Sequence, residues 1–161
     1  MPPFVKPKVY IETTIVSYLI ARPSRDLIVA AHQQITREWW DLRRMEFDLF
    51  FSRLVIQEAS AGDQEAAQRR LAELDPFPLL AFTEDALSLA RDLARRGILP
   101  ETATADAFHI AAATVHGMDY LLTWNCRHIA NARMRQAVVA TCALRGYESP
   151  VICTPEELMG D

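Results

Sequence analysis

The hydrophobic positions of this 161-residue chain follow two patterns in alternation. Short apolar runs rich in β-branched and aromatic residues are typical of buried strands, and apolar residues at helical spacing are typical of helices with one buried face. The runs predict strands at 8–12, 48–52, within 76–82, at 120–123 and at 150–153. The helical spacing predicts helices at 14–21, 25–44, 53–60, 64–74, 83–97, 100–116 and 129–144, and a short terminal helix that starts at 154–157. This alternation predicts an α/β fold with a central, mostly parallel sheet flanked by helices, in a single domain over residues 1–161.

Side chains at the predicted helix starts indicate where the first two helices are capped. Thr13 or Thr14 is the predicted cap of the first helix, and Ser24 is the predicted cap of the long second helix. The long helix has an apolar stripe, which consists of Leu27, Ile28, Ala31, Ile35 and Trp39. We interpret this stripe, with the adjacent Trp40, as packing surface rather than as a platform for stacked bases.

The charge balance excludes several classes of function. The chain has a net charge of −4, which argues against a general electrostatic binder of nucleic acid. An acidic enzyme that meets phosphates through metal ions stays open. The cations are fifteen arginines and only two lysines, Lys6 and Lys8. No lysine is therefore placed for a Walker-type phosphate loop, a Schiff base or a receiver-type phosphotransfer site.

Cysteine usage and hydropathy indicate the compartment. The three cysteines, Cys126, Cys142 and Cys153, are widely spaced and form no Cys-x-x-Cys pair. An odd, dispersed set argues against a disulfide framework and favours a reducing environment. No apolar window has the length of a membrane span. We therefore expect a cytoplasmic protein that does not enter a membrane.

Three acids lie beside apolar surfaces. Glu12 follows the first predicted strand, Glu58 shares a helical face with Leu54, and Asp106 shares a helical face with Ile110. Each acid alone has an ordinary alternative explanation, as a helix cap or as a solvated helix residue. A carboxylate beside a buried face loses hydration, however, and several such groups meeting in one place would repel each other. A bound Mg²⁺ or Mn²⁺ ion would relieve both costs.

Polar residues also follow the fourth predicted strand, where Thr123 and Asn125 flank Trp124. Parallel strands end at the same edge of a sheet, so Asn125 is expected near Glu12. Asn125 alone is equally explained as a turn residue. Trp124 can stack on a base or pack under the loop, and we favour packing.

Other candidate residues have weaker signals. His109, Cys126 and His128 match no zinc-binding spacing, and we interpret His109 as a hydrogen-bonded residue of its helix. Arg22 and Arg127 are candidates for contacts with phosphate groups only because they are close in sequence to the other candidates.

The order of these motifs resembles the PIN domain, and most closely the VapC-like toxins of bacterial toxin–antitoxin pairs. The most specific part is the Asp-x-x-His-Ile-Ala-x-Ala block at 106–113, followed by Leu-Leu-Thr at 121–123. The resemblance implies a three-layer fold and an Mg²⁺- or Mn²⁺-dependent ribonuclease. It also implies an RNA substrate, a cognate antitoxin protein and a homodimer.

By position in the PIN motifs, Glu12, Glu58 and Asp106 would be the catalytic acids and metal ligands, with Asn125 as a fourth candidate ligand. The chain departs from the family at two of these positions, because the family usually has Asp where this chain has Glu12 and Asn125. The loss of a charge at Asn125 leaves open a second hypothesis, a PIN-fold binding or regulatory module with weak or no nuclease activity.

Overall fold

The fold is built on one fully parallel sheet. The computed structural model describes residues 3–161, so the first two residues of the predicted domain lie outside it. The strands are β1 (Lys8–Ile11), β2 (Asp48–Ser52), β3 (Leu79–Leu80), β4 (Tyr120–Leu122) and β5 (Val151–Cys153), and the sheet order is β3-β2-β1-β4-β5. The two-residue β3 lies at the edge, as its flanking prolines predicted. A sheet in which every pair is parallel needs helical crossovers, and it has them.

Helices connect the strands and complete a three-layer arrangement. The described residues form α1 (Thr13–Ile20), α2 (Leu27–Leu42), α3 (Arg53–Ala59), α4 (Gln64–Leu74), α5 (Glu84–Arg95), α6 (Thr104–Val115) and α7 (Ala132–Leu144). Short 3-10 helices at Arg44–Glu46 and Glu101–Ala103 precede β2 and α6. The predicted α/β class and the central sheet between helices are confirmed.

The centre of the core is β1, whose residues Val9, Tyr10 and Ile11 are almost completely inaccessible to solvent. A strand with neighbours on both sides and helices on both faces has no exposed side, and its sequence is accordingly apolar throughout. Helix α6 contributes a buried surface of small residues, including Ala107 and Ala111. Trp39 and Trp40 are also buried, which confirms that they are packing residues.

The start of α2 differs from the sequence-based prediction. The helix begins two residues later than expected, because Asp26 and not Ser24 caps it: the carboxylate of Asp26 accepts hydrogen bonds from the N–H groups of Ile28 and Val29. The predicted apolar stripe is wrong at this end of the helix, since Leu27 is 86% exposed and Ile28 is 69% exposed. The buried face is formed further along by Gln33, Thr36, Trp39 and Trp40.

We expect Asp26→Ala to lower the free energy of unfolding by about 1 kcal/mol, because it removes an acceptor for two N–H groups of the first turn. Ser24→Ala is the matched control: the hydroxyl of Ser24 accepts only the N–H of Asp26, in an exposed position. Denaturant titration of both variants measures the difference. Equal stability of the two variants would show that the cap is not at Asp26.

The end of the chain also differs from the prediction. Residues 155–158 form a turn, so the helix predicted to start at 154–157 is not formed. Thr154 and Glu157 bond each other as in a capping box, with the N–H of Thr154 donating to the carboxylate of Glu157. The capping interaction is therefore present without a helix after it.

Within residues 3–161, no helix combines the length and the apolar character that a membrane crossing requires.

Candidate active site

The parallel register brings the ends of β1 and β4 together. Ile11 of β1 is paired with Leu122 of β4, so Glu12 and Thr123 are the next residues on adjacent strands. The N–H of Glu12 donates to the carbonyl of Leu122 at 3.1 Å, and the hydroxyl of Thr123 donates to Oε2 of Glu12 at 3.1 Å. At the carboxyl edge of the sheet, the carboxylate of Glu12 is therefore held by Thr123 from the neighbouring strand.

Glu12 is also the N-cap of α1, which corrects the predicted cap at Thr13 or Thr14. Its Oε2 accepts the backbone N–H of Thr14 at 2.8 Å and the hydroxyl of Thr14 at 2.5 Å. The side chain is only 4% exposed. Burial raises the pKa of Glu12, although nearby His109 and the hydrogen bonds from Thr14 and Thr123 favour the ionised form.

Glu58, near the end of α3, is half-buried and faces the interior with one of its oxygens. Its Oε1 accepts the hydroxyl of Thr13 at 2.7 Å and lies 2.6 Å from Nε2 of His109. Burial acts to raise the pKa of this carboxyl, but the hydrogen bond and charge interaction with His109, helped by Thr13, outweigh it and the pKa is lowered. Glu58 is therefore ionised in the neutral range.

Asp106, in the first turn of α6, has protein partners on both oxygens. Its Oδ1 accepts the side-chain amide of Asn125 at 3.1 Å, and its Oδ2 lies 3.1 Å from Nδ1 of His128. Burial raises the pKa of Asp106, with His109 and His128 acting in the opposite direction. Ionisation of Asp106 therefore lowers the stability of the fold, whereas ionisation of Glu58 raises it.

Asn125 connects Asp106 to the strand ends. Its backbone N–H donates to the hydroxyl of Thr123 at 2.9 Å, and its side-chain oxygen accepts the N–H of His128 at 3.1 Å. Because Thr123 also bonds Glu12, a continuous path of hydrogen bonds runs from Glu12 through Thr123 and Asn125 to Asp106. Glu58 is joined to this path only through the backbone, because the adjacent residues Thr13 and Thr14 donate their hydroxyl hydrogens to Glu58 and Glu12 respectively. The four residues singled out in the sequence thus lie in one polar cluster.

Sequence reasoning missed several members of this cluster. Thr13 and His128 hold Glu58 and Asp106 directly, and the sequence signal for them was only their position beside Glu12 and Asn125. Tyr10 was counted as a strand residue, yet its hydroxyl lies 2.7 Å from Nδ1 of His109 and 2.7 Å from the hydroxyl of Ser52. Strand alternation predicts that such a residue is buried, but it does not predict a polar partner.

Trp124 and the two arginines occupy different places relative to the cluster. Trp124 is buried, its ring stacks on His32 at 4.0 Å, and its N–H donates to the hydroxyl of Thr36, which confirms a packing role. Arg127 is exposed in the loop that contains Asn125. Arg22 follows the far end of α1, about 12 Å along the helix from Glu12.

Carboxylate and amide oxygens are the donors that Mg²⁺ and Mn²⁺ prefer, so the chemistry of the four residues fits such an ion. Within the described residues, however, no group of three His, Cys, Asp or Glu side chains is arranged to hold a metal ion. The acids are instead held by hydroxyl, amide and imidazole groups. The same finding leaves His109, Cys126 and His128 without a shared zinc site. Metal ligation by Glu12, Glu58, Asp106 and Asn125 therefore remains a prediction.

Comparison with known proteins gives evidence on the fold. No family model and no curated protein matches the sequence. Among solved structures, the chain is similar to one from VapBC2 of Rickettsia felis, which was crystallised bound to a DNA fragment from the promoter. The similarity has a TM-score of 0.57 at 13% identity, and it covers 91% of this chain and 98% of the other. The chain therefore has a PIN-like fold, as the motifs in its sequence predicted.

Proposed function

We propose that this protein is a metal-dependent endoribonuclease that acts as the toxin of a toxin–antitoxin pair. The observation that supports the proposal best is the polar cluster itself. In a VapC-like fold, hydrogen bonds connect Glu12 through Thr123 and Asn125 to Asp106, and Thr13 holds Glu58 beside them. The cluster lies at the carboxyl edge of a parallel sheet, where open α/β sheets bind ligands.

Electrostatics explains why this cluster would need a cation. A phosphodiester approaching Glu12, Glu58 and Asp106 meets like charges in a chain whose net charge is already −4. Mg²⁺ or Mn²⁺ would be held by these three acids and by the amide oxygen of Asn125. When bound, such an ion polarises the scissile phosphate and activates water for attack.

The protein's own groups would orient the substrate and accept a proton. Glu58 is the acid whose ionisation the fold favours, and among residues 3–161 no protein donor contacts its Oε2. This oxygen is available to accept the proton of an attacking water. Arg127, which is exposed in the same loop as Asn125, would contact the RNA backbone.

The partners in this proposal are an antitoxin protein and a second copy of the chain. The similar structure is described as VapBC2 bound to promoter DNA, and this description supports an antitoxin partner here. The exposed apolar pair Leu27 and Ile28 at the start of α2 is available for a protein contact. A small reading frame beside the gene that encodes a DNA-binding protein would support the pairing.

Cleavage of a structured RNA pool by the purified protein tests the activity. We expect cleavage with Mn²⁺ or Mg²⁺ that stops when EDTA is added. Cleavage that is indifferent to EDTA would contradict the metal dependence, and no cleavage under any metal would contradict the nuclease.

One observation favours the second hypothesis, a PIN-fold binding or regulatory module. Both oxygens of Asp106 are occupied by protein groups, namely the amide of Asn125 and the ring of His128. Each oxygen keeps a second lone pair, so a cation at Asp106 would have to share these oxygens with Asn125 and His128. Calorimetric titration with Mn²⁺ separates the hypotheses, because a pure binding module need not bind the ion.

We expect Asn125→Asp to tighten Mn²⁺ binding several-fold, or by about 1 kcal/mol. Two opposite unit charges about 4 Å apart attract by about 4 kcal/mol at an effective dielectric of 20, and a divalent ion about doubles this. Repulsion among the acids and desolvation offset most of the attraction. The amide of Asn125 now donates to Asp106, so the variant replaces a hydrogen bond with two facing carboxylates and should melt at a lower temperature without metal. Calorimetry and melting curves measure both effects. Unchanged affinity would place Asn125 outside the metal site.

A further inference from the structure

A buried line of hydrogen bonds reaches Glu58 through the core. It runs from the hydroxyl of Ser52 to the hydroxyl of Tyr10 at 2.7 Å, from there to Nδ1 of His109 at 2.7 Å, and from Nε2 of His109 to Oε1 of Glu58 at 2.6 Å. Its members belong to β2, β1, α6 and α3 in turn. Ser52, Tyr10 and His109 are each at most 1% exposed, so these three side chains are shielded from bulk solvent.

Such a line is costly unless every member is paired. A hydroxyl or an imidazole placed in an apolar core loses hydration, and this loss is recovered only by good hydrogen bonds. Phenylalanine and leucine would fill the positions of Tyr10 and His109 without that cost. Glu58 is the one member with access to solvent, so the line has its open end at the candidate active site.

The chemistry of Glu58 and Ser52, at the two ends of the line, determines which atom donates in each hydrogen bond. The ionised carboxylate of Glu58 can only accept, so Nε2 of His109 must carry hydrogen. Nδ1 then accepts the phenolic hydrogen of Tyr10, whose pKa is raised by burial, and Tyr10 accepts the hydrogen of Ser52. In the reverse direction Nδ1 would donate to Tyr10 and Tyr10 would donate to Ser52. The hydroxyl of Ser52 would then have no acceptor among the described residues, since its side chain does not cap α3.

We propose that Tyr10 and His109 are positioning residues for Glu58. The carboxylate of Glu58 sets the Nε2–H tautomer of His109, Tyr10 holds the ring in one orientation through Nδ1, and His109 in turn engages Oε1 of Glu58 so that Oε2 is left for the reaction. This role rests on the proposed nuclease function, but the tautomer does not, because it follows from the hydrogen bonds and the negative charge of Glu58.

Nitrogen-15 NMR of the imidazole rings tests the tautomer on the intact protein without any assay of activity. We expect His109 at neutral pH to carry its hydrogen on Nε2, and we expect Tyr10→Phe to keep this tautomer but to shift the nitrogen-15 resonance of Nδ1, which loses its hydrogen-bond donor. A wild-type His109 with hydrogen on Nδ1 would overturn the proposal. So would an Nδ1 resonance that is unchanged in Tyr10→Phe.

Kinetics test the positioning role. We expect His109→Leu to lower kcat about 10- to 100-fold with little change in KM, since residues that orient reacting groups typically have effects of this size. His109→Gln should recover most of the loss, because its amide can donate from nearly the position of Nε2. Tyr10→Phe keeps the ring and its packing, and should show an intermediate loss even if His109→Leu does not fold.

The matched control is Thr114→Val, which removes a buried hydroxyl from the same helix. The hydroxyl of Thr114 donates to the carbonyl of Ile110 and contacts Cys142, away from the acids. It should lower the melting temperature without lowering kcat at a temperature where the protein is folded. If Thr114→Val lowers kcat as much as Tyr10→Phe, or if His109→Gln recovers nothing, the positioning role is overturned. A wild-type protein with no cleavage would contradict the proposed function, while the tautomer measurement would still decide the inference about His109.

Discussion

Replacement of Asp106 by Asn is expected to abolish metal-dependent RNA cleavage, with a loss of about a thousandfold, which corresponds to about 4 kcal/mol of transition-state stabilisation. Asp106 contacts Asn125 and His128, and it lies in the first turn of α6 beside the other acids. The substitution keeps the size of the side chain and removes its charge. Cleavage rates with Mn²⁺ measure the loss.

The same variant should fold as well as the wild type. Burial raises the pKa of Asp106 in the folded protein above its value in the unfolded chain. The free energy of unfolding therefore decreases as the pH rises from the unfolded pKa through the folded pKa and Asp106 ionises. Asn removes that cost, so the melting temperature at neutral pH should be equal or higher, and the difference should shrink as the pH falls toward about 4. A lower melting temperature at neutral pH would indicate a structural role for the charge.

The control for Asp106→Asn is Asp119→Asn at the opposite edge of the sheet. Asp119 precedes β4 and accepts the backbone N–H of Lys8 at 2.8 Å, far from the carboxyl ends of the strands. Asp119→Asn makes the same chemical change as Asp106→Asn, but outside the polar cluster. Cleavage should be retained there, and an equal loss in both variants would contradict a specific role for Asp106.

Replacement of Glu58 by Gln should also remove cleavage, by about a hundredfold to a thousandfold, but with the opposite effect on stability. The fold lowers the pKa of Glu58, so its ionised form contributes stability that is present at neutral pH and is lost as the pH falls through the folded pKa. The amide oxygen can still accept from Thr13 and His109, but without a charge. We therefore expect the free energy of unfolding to fall by about 1 kcal/mol at neutral pH. The loss is not larger, since solvent at this partly exposed site screens the charge interaction.

Melting curves and cleavage rates of Glu58→Gln, with Glu65→Gln as the control, test this pair of effects. Glu65 is an exposed acid in the first turn of α4 and has no part in the cluster. Activity equal to that of the control would remove Glu58 from the site. A variant more stable than the wild type would contradict the assigned hydrogen bonds of His109.

The sequence by itself determined the class of the fold and the approximate position of every strand. Apolar runs such as Val9 to Ile11 can be buried only in the interior of a sheet, and the helices between them require parallel neighbours. Because parallel strands end at one edge, the sequence also placed Glu12 and Asn125 on the same side of the molecule. These conclusions depend on the local pattern of apolar and polar residues and on the direction in which each strand runs. A single sequence contains both.

The tertiary structure decided which partner each acid has. Whether Glu58 meets Thr13 and His109, or only solvent, depends on how α3 and α6 pack on the sheet, and residues 45 and 51 positions apart in the chain carry no local signal of contact. The caps at Glu12 and Asp26 were missed for a related reason: several polar residues stand at each helix start, and only the path of the incoming chain selects one. The opposite pKa shifts of Glu58 and Asp106 follow from these contacts, because burial alone would raise both.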